Sequence, residues 1–276
     1  MMSTVGELAH AASVDGLFAM PETLTNIPII DACGDTTDAT AQMFGWLGTV
    51  LAVLVFAAPI PTMLTIRRHG ALGDFDSLPY VAMLMQGAFW TVYGLPIVTP
   101  CRTQVLVCNV IGVLISVSYV ALFVAYADSV RRPRILAVSG GAAVIIVAVC
   151  STALILDAVH PHAPNASGTA SMIIGVACVV VTIAAFGAPL AIVDTVLRTR
   201  SVKYMPLPLS LAIAVNCFTW TIYGAMTADA YVIMCNLSGL LLGLIQLIIY
   251  VVVHCFCTPR DAGEAAPLKA KLGVGP

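Results

Sequence analysis

The chain has 276 residues, of which 60% are hydrophobic and 9% are charged, and its mean hydropathy is +0.99. A soluble domain of this length needs about a quarter of its residues charged, so the composition excludes a soluble protein and indicates one that lies largely within a bilayer. The formal net charge of −2 and the pI near 6.2 exclude a basic surface for nucleic acid.

The chain begins with a predicted extracellular tail, residues 1–41, which holds six acidic residues and no Lys or Arg. It has neither the basic start nor the apolar stretch of a signal peptide, so we expect a mobile acidic segment that is not cleaved. Seven apolar runs follow, each long enough to cross a bilayer as a helix. They are residues 42–66, 78–98, 104–127, 135–157, 171–196, 208–227 and 231–256.

Positive charge lies almost entirely on one side of these predicted spans. Eleven of the 12 Lys and Arg residues lie in the loops after the first, third and fifth spans or in the tail at 258–276, and only Arg102 lies on the other side. The positive-inside rule predicts an extracellular N-terminus and a cytosolic C-terminus. Asn165 begins a glycosylation triplet in a loop predicted to be outside. We expect the plasma membrane, with a vesicular or vacuolar membrane as the alternative.

The sequence contains an internal repeat. Three landmarks recur in the same order: Phe-Ala-Ala-Pro at 56–59 and Phe-Gly-Ala-Pro at 186–189, Trp-Thr-Val-Tyr-Gly at 90–94 and Trp-Thr-Ile-Tyr-Gly at 220–224, and Cys-Asn at 108–109 and 235–236. The first two pairs are separated by 130 residues and the third by 127. The repeat predicts one three-helix unit over residues 42–127 and a second over 171–257.

The remaining helix, within residues 128–170, determines how the two units are oriented. Three is an odd number, so two directly fused units would be inverted relative to each other, whereas one linker helix makes them parallel. We therefore predict an all-α membrane protein with seven transmembrane helices in a 3+1+3 arrangement. Parallel repeats of this kind are typical of transporters, with a site near the midplane between the halves.

Two residue pairs at equivalent repeat positions are candidates for that site. Asn109 and Asn236 each offer two donors and an acceptor, which suit sugar hydroxyls; a lone Asn would more often bond a neighbouring helix. Trp90 and Trp220 offer an aromatic face for the apolar side of a sugar ring, although Trp also marks the membrane interface.

Tyrosines and prolines also recur in both units. Tyr93 and Tyr223 fit an interfacial belt or an outer gate equally well. Prolines inside a helix remove a backbone hydrogen bond and kink it. Pro59 and Pro189 lie inside the first and fifth predicted helices, and Pro79 and Pro206 open the second and sixth. All four lie near the predicted cytosolic ends and suggest a gate.

Absent residue types narrow the function. No Asp, Glu, Lys or His lies in the middle of a predicted span, and a proton-coupled carrier normally keeps such a residue as its relay. We therefore predict facilitated diffusion without obligatory proton coupling. No nucleophile–base pair or metal cluster appears, so we expect neither an enzyme nor a cofactor.

The nine cysteines show no metal-binding spacing. Cys33 and Cys101 are both predicted to be outside and could pair, while Cys255 and Cys257 lie where S-palmitoylation occurs. We expect all four to be unpaired, unmodified thiols.

Over about residues 45–255 the chain resembles the SWEET family of sugar transporters. The resemblance rests on residues 58–62, 77–80, 198–206, 220–224 and 235–236, with Cys235 where the family more often has Pro. It implies a facilitative uniporter that moves a mono- or disaccharide of the glucose, fructose or sucrose class by alternating access. It also implies a tendency to form homo-oligomers in the lipid bilayer.

The resemblance assigns roles to particular residues. It implies a sugar site of Asn109, Asn236, Trp90 and Trp220, and a cytosolic gate of the four prolines. It also implies an outer gate of Tyr93, Asp229 and Arg102. Val55 and Ala185 match positions that tune the width of the pocket.

Other seven-helix proteins fit less well. The internal repeat and short loops argue against a G-protein-coupled receptor, and the last span has no Lys to hold retinal. A proline-glutamine-loop carrier of amino acids or another small polar solute is the closest alternative. The Pro-Gln pair is absent, because Ile60 and Leu190 follow the two helix prolines.

Overall fold

The computed structural model describes residues 38–159, 168–185, 193–194, 196–198 and 207–256, all within one compact unit, Asp38–Pro276. This part of the chain contains α-helices and no strand. The helices are α1 Ala39–Ala57, α2 Ile60–His69, α3 Leu78–Tyr93, α4 Thr103–Tyr126, α5 Arg131–Val159, α6 Thr169–Ala185, α7 Leu207–Met226 and α8 Ala230–Phe256. Both predicted tails lie outside the described residues, apart from the first residues of α1.

Most of these helices are long and apolar enough to cross a membrane. Five segments meet that description: Ala39–His69, Thr103–Tyr126, Arg131–Val159, Leu207–Met226 and Ala230–Cys255. The described parts of α3 and α6 are shorter, at 16 and 17 residues. Because α1 and α2 form one interrupted rod, the helices correspond to the seven predicted spans. Large apolar side chains such as Leu54, Leu114 and Val144 are more than half exposed, as on lipid-facing surfaces.

Two helix ends differ from the predicted spans. The length of an apolar run reflects the width of the bilayer, whereas the residue at which a helix begins or ends depends on capping. α3 ends at Tyr93 rather than near residue 98, since Gly94 and Pro96 lead into turns. α5 begins at Arg131 rather than 135. There Asp128 Oδ1 accepts hydrogen bonds from the backbone N–H groups of Val130 and Arg131, at 3.0 and 2.7 Å, and supports an extra polar turn.

The first rod breaks at Ala58 and Pro59, as the proline predicts. Pro59 has no N–H to donate to the helix. The N–H of the preceding residue, Ala58, bonds the Val55 carbonyl at 3.2 Å. The neighbouring Phe56 carbonyl accepts a hydrogen bond from the Tyr119 hydroxyl of α4 at 2.9 Å. The break is therefore supported by a contact within the repeat.

The two repeats have the same helix packing and together form a ring. In the first, α4 packs between α1 and α3; in the second, α8 packs between α6 and α7. The contacts of α1 with α7 and of α3 with α6 join the repeats, and α5 packs against α3, α4 and α6. These two joints, which we call the α1–α7 seam and the α3–α6 seam, are equivalent under the repeat.

Glycines allow close approach at the α1–α7 seam. A Cβ added at Gly45 would lie 2.9 Å from the Tyr223 ring, and one added at Gly48 would lie 2.8 Å from the Trp220 indole. Neither distance leaves room for a side chain, so both rings rest directly on the backbone of α1.

The ends of the helices differ in charge. Among the described residues, the end we call the basic face carries Arg67, Arg68, Arg131, Arg132, Arg134 and Arg198. The other end, which we call the opposite face, carries Arg102 and Asp229.

Candidate functional site

The two tryptophans of the repeat lie at the two seams. Each is only 6% exposed. Trp90 Nε1 donates to the Thr182 hydroxyl of α6 at 3.4 Å, across the α3–α6 seam, and Trp220 packs on Gly48 across the α1–α7 seam. A Trp of an interfacial belt would face lipid, and these two do not.

The two asparagines have equivalent hydrogen bonds. Asn109 Nδ2 donates to the Val105 carbonyl at 2.8 Å, and Asn236 Nδ2 donates to the Val232 carbonyl at 2.9 Å. Both side chains are half-buried, and neither bonds another helix within the described part of the chain. Each amide therefore keeps its oxygen and its second N–H for another partner.

One turn from each Trp lies a further polar residue that the sequence analysis missed. Asn216 of α7 has a buried side-chain oxygen with no hydrogen-bond partner among the described residues. Its repeat equivalent, 130 residues earlier, is the half-buried Gln86 of α3. The offset of 130 residues that pairs the tryptophans also pairs these two amides, so an alignment of the repeats could have identified them. Thr182 was missed for a different reason, because its repeat equivalent is the non-polar Ala52.

The residues matched to pocket width lie at the ends of the first helix of each repeat. Val55 is half-buried in the last turn of α1, next to the break, and Ala185 is half-buried at the end of α6.

A hydrogen-bonded ion pair joins the repeats at the opposite face. Arg102 Nε contacts Asp229 Oδ2 at 3.0 Å, and the Asp229 carboxylate also accepts the Tyr93 hydroxyl at 3.0 and 3.1 Å and the Val232 N–H at 3.1 Å. Arg102 donates as well to the Thr227 carbonyl at 2.8 Å. Asp229 is 4% exposed. A buried carboxylate is stable when it is paired and hydrogen-bonded in this way.

Arg102 and Asp229 hold equivalent repeat positions, since the offset of 127 that aligns the asparagines also aligns them. The preceding residues, Cys101 and Ala228, have left-handed φ values of 64° and 52°. Both repeats thus turn into their third helix in the same way, and the turns bring opposite charges together. The expected pairing of these two residues is present.

Tyr223 makes no hydrogen bond to Asp229 among the described residues, and its assignment to the outer gate stays a prediction. Its hydroxyl donates to Gln104 Oε1 at 3.3 Å. The cause lies in the repeat: the position equivalent to Asp229 is Arg102, which offers no acceptor. Tyr223 bonds instead to the amide two residues further on.

Cys101 is disulfide-bonded, so the expectation that it is an unpaired thiol is wrong. Cys33 and Cys257 lie outside the described residues. The other described cysteines are free thiols: Cys108, Cys150, Cys178, Cys217, Cys235 and Cys255.

The structure describes two of the four prolines of the expected gate. Pro59 lies at the break between α1 and α2, and Pro79 lies exposed in the first turn of α3, both toward the basic face. Pro189, Pro206 and the glycosylation candidate Asn165 lie outside the described residues.

Comparison with known proteins identifies the family. A family model described as a sugar efflux transporter for intercellular exchange matches residues 42–131 and 172–255, once for each three-helix repeat. The bidirectional sugar transporter SWEET4 of Oryza sativa subsp. japonica is 35% identical over 217 residues, which cover 79% of this chain and 81% of the relative. SWEET5 of Arabidopsis thaliana is 36% identical over 80% of this chain and 89% of the relative.

A solved structure of a eukaryotic SWEET transporter aligns with a TM-score of 0.68 and 30% identity, over 78% of this chain and 96% of that chain. This match confirms the predicted fold of seven membrane helices. The named relatives are transporters and not enzymes. The matched repeats, the shared fold and the identity over most of the chain show that this protein belongs to the SWEET family.

Proposed function

We propose that this protein is a facilitative sugar uniporter that works by alternating access. The observation that carries the proposal is a matching set of residues in the two repeats. Each repeat contributes a buried Trp at a seam and an Asn whose amide keeps hydrogen-bonding capacity. An ion pair between the repeats closes one end.

The chemistry of these groups suits a neutral, hydroxyl-rich solute. The tryptophan faces can pack on the C–H face of a sugar ring. The amides of Asn109 and Asn236 can donate to and accept from its hydroxyls. The buried oxygen of Asn216 supports a further contact, since an unpaired polar atom gains free energy when a ligand donates to it. Val55 and Ala185 would limit the width of the pocket.

Alternating access needs an end that opens and a hinge that lets it open. Opening the opposite face requires Asp229 to release Arg102 and Tyr93, and it exposes both charges to water, which offsets part of the lost attraction. The break at Pro59 gives the first rod a joint near the basic face. With Pro79, Pro189 and Pro206 it would form the inner gate.

Charge distribution supports the orientation and the lack of ion coupling. Eleven of the 12 Lys and Arg residues fall in segments of the sequence predicted to be on one side of the spans, and the six of them that the structure describes lie at the basic face. We therefore assign that face to the cytosol and the ion pair to the extracellular side. The plasma membrane remains the expected location, with a vesicular or vacuolar membrane as the alternative. Asp229 lies at the start of α8 and is ion-paired, so it is not the mid-membrane relay that proton coupling needs.

Uptake of labelled glucose, fructose, sucrose and amino acids in transport-deficient cells tests the substrate class. We expect uptake of at least one sugar and its loss in Trp90→Ala and Trp220→Ala. The matched control is Trp46→Ala, because Trp46 is 45% exposed on α1. Uptake of amino acids without sugars would reject the proposal in favour of a proline-glutamine-loop type of carrier.

A further inference from the structure

A cavity of about 100 Å³ lies at the basic face, away from the tryptophan–asparagine site. It is formed between the loop at residues 70–77 and the first turns of α5. Part of its wall is apolar and includes Phe75, Leu78 and Val138. These three side chains are 42%, 57% and 40% exposed, so the apolar wall continues onto the outer surface of the helices. The cavity therefore opens beside an exposed apolar surface at the basic end of the helices, where we expect lipid headgroups to meet the protein.

Arg131, one of two arginines in the wall, is already engaged by the protein. Its Nε contacts Asp128 Oδ2 at 2.7 Å, and one terminal nitrogen donates to the Gly73 carbonyl at 2.8 Å. Hydrogen bonds from the Arg131 backbone and side chain lower the pKa of Asp128 to about 2. Arg131 thus fixes the loop to α5, and its charge is balanced.

The other two charged groups of the wall, Arg134 and Asp76, are not paired with each other. Arg134 has no hydrogen bond or ion pair with any residue that the structure describes. Asp76 accepts only the Leu78 N–H, at 3.2 Å, within the same part of the chain. A cation and an anion therefore line one small cavity without meeting. A ligand that carries both charges a short distance apart can satisfy them together.

We propose that this cavity binds the headgroup of phosphatidylethanolamine, with its phosphate on Arg134 and its primary ammonium on Asp76. The start of the acyl chains would lie over Leu78 and Val138. The ligand is a membrane lipid because the apolar wall is continuous with the lipid-facing surface. A choline headgroup has no N–H to donate to Asp76, and an anionic glycerol headgroup would leave that carboxylate without a cation.

Native mass spectrometry of the purified full chain tests the proposal. The protein is incubated with phosphatidylethanolamine, phosphatidylcholine or phosphatidylglycerol that carry identical acyl chains. We expect about tenfold greater retention of the ethanolamine lipid than of the choline lipid, the size expected for charge-assisted hydrogen bonds. Arg134→Gln and Asp76→Asn should remove that preference. Arg67→Gln and Asp74→Asn are the controls, because both residues are exposed at the basic face outside the cavity wall.

Several results would overturn the assignment. Equal retention of ethanolamine and choline lipids by the unmodified chain rejects it without any variant, as does stronger retention of phosphatidylglycerol. Loss of preference in the control variants would place the lipid elsewhere on the basic face. Free phosphoethanolamine should compete weakly because it lacks acyl chains, and full displacement of the lipid at equal concentration would make a soluble zwitterion the ligand. None of these results depends on sugar transport.

Discussion

The proposed outer gate depends most on one side chain, the Asp229 carboxylate. It is almost fully buried, yet an arginine, a tyrosine hydroxyl and a backbone N–H satisfy it. Removing one partner from a buried ion pair typically costs about 3–5 kcal/mol. The cost here is smaller, since the Arg102 side chain keeps 15% of its surface exposed. The network can therefore be both specific and reversible.

The equivalence of Arg102 and Asp229 under the repeat makes a charge swap informative. Arg102→Asp or Asp229→Arg alone should reduce sugar uptake at least about tenfold, because like charges would then face each other. The double variant, which exchanges the charges, should recover part of the uptake because the geometry of the pair is symmetric. Uptake per surface-expressed molecule is the measurement. Full activity in a single variant, or no recovery in the double variant, would contradict a pairing role.

The two site asparagines should matter for transport and not for folding. Asn109→Ala or Asn236→Ala should abolish uptake while surface expression stays normal, because neither amide makes a hydrogen bond to another helix in the described part of the chain. Ser118→Ala and Ser238→Ala are matched controls. Ser118 is exposed and Ser238 is half-buried, and both make the same bond to their own helix, four residues back, at 2.9 and 2.6 Å. Wild-type uptake by either asparagine variant would assign both residues to structure alone.

Some residue contacts could be predicted from the sequence, and others could not. The repeat offset found the tryptophans and asparagines because both repeats keep the same residue type. It could not predict that Tyr223 bonds Gln104. That partner follows because position 102, equivalent to Asp229, holds an arginine and offers no acceptor. The Cys101 disulfide was missed because sequence carries no distance between loops.

At the scale of the helices, apolar runs predicted which elements exist but not where each one ends. α3 stops early at Gly94 and Pro96, and α5 starts early on the cap from Asp128. Neither feature changes the apolar run. The break at Pro59 was predictable because proline removes a backbone donor. Its support by the Tyr119 hydroxyl was not, because that contact depends on the rotation of α4.

Close packing at the α1–α7 seam predicts a specific loss of stability. Gly48→Ala should destabilise the protein by about 1–3 kcal/mol, because the new methyl group would overlap the Trp220 ring. The unfolding temperature in detergent should fall by a few degrees. Gly140→Ala is the control: no neighbouring atom lies within 4 Å there, and Ala favours a helix over Gly. Equal thermal stability of the two variants would contradict close packing at this seam.

At the scale of the molecule, the ring of six helices has symmetric packing but asymmetric chemistry. Both seams carry a Trp, and both third helices carry an Asn, so each half contributes the same residue types to the proposed site. The charges differ, with Arg102 in one repeat and Asp229 in the other, and this difference allows the repeats to bond at one face. The parallel arrangement of the two repeats was predictable from the helix count and the charge bias. The ring of helix contacts was not, because the sequence does not say which helices pack together.

The central claim is uniport, and the most direct test is sugar uptake into proteoliposomes under an imposed pH gradient. Internal sugar should rise to the external concentration and stop there, whichever side is acidic, because the described spans hold no Asp, Glu, Lys, Arg or His near their middle. Empty liposomes and the Asn109→Ala variant provide the baseline. Accumulation of sugar above the external concentration, abolished by a proton ionophore, would contradict this account.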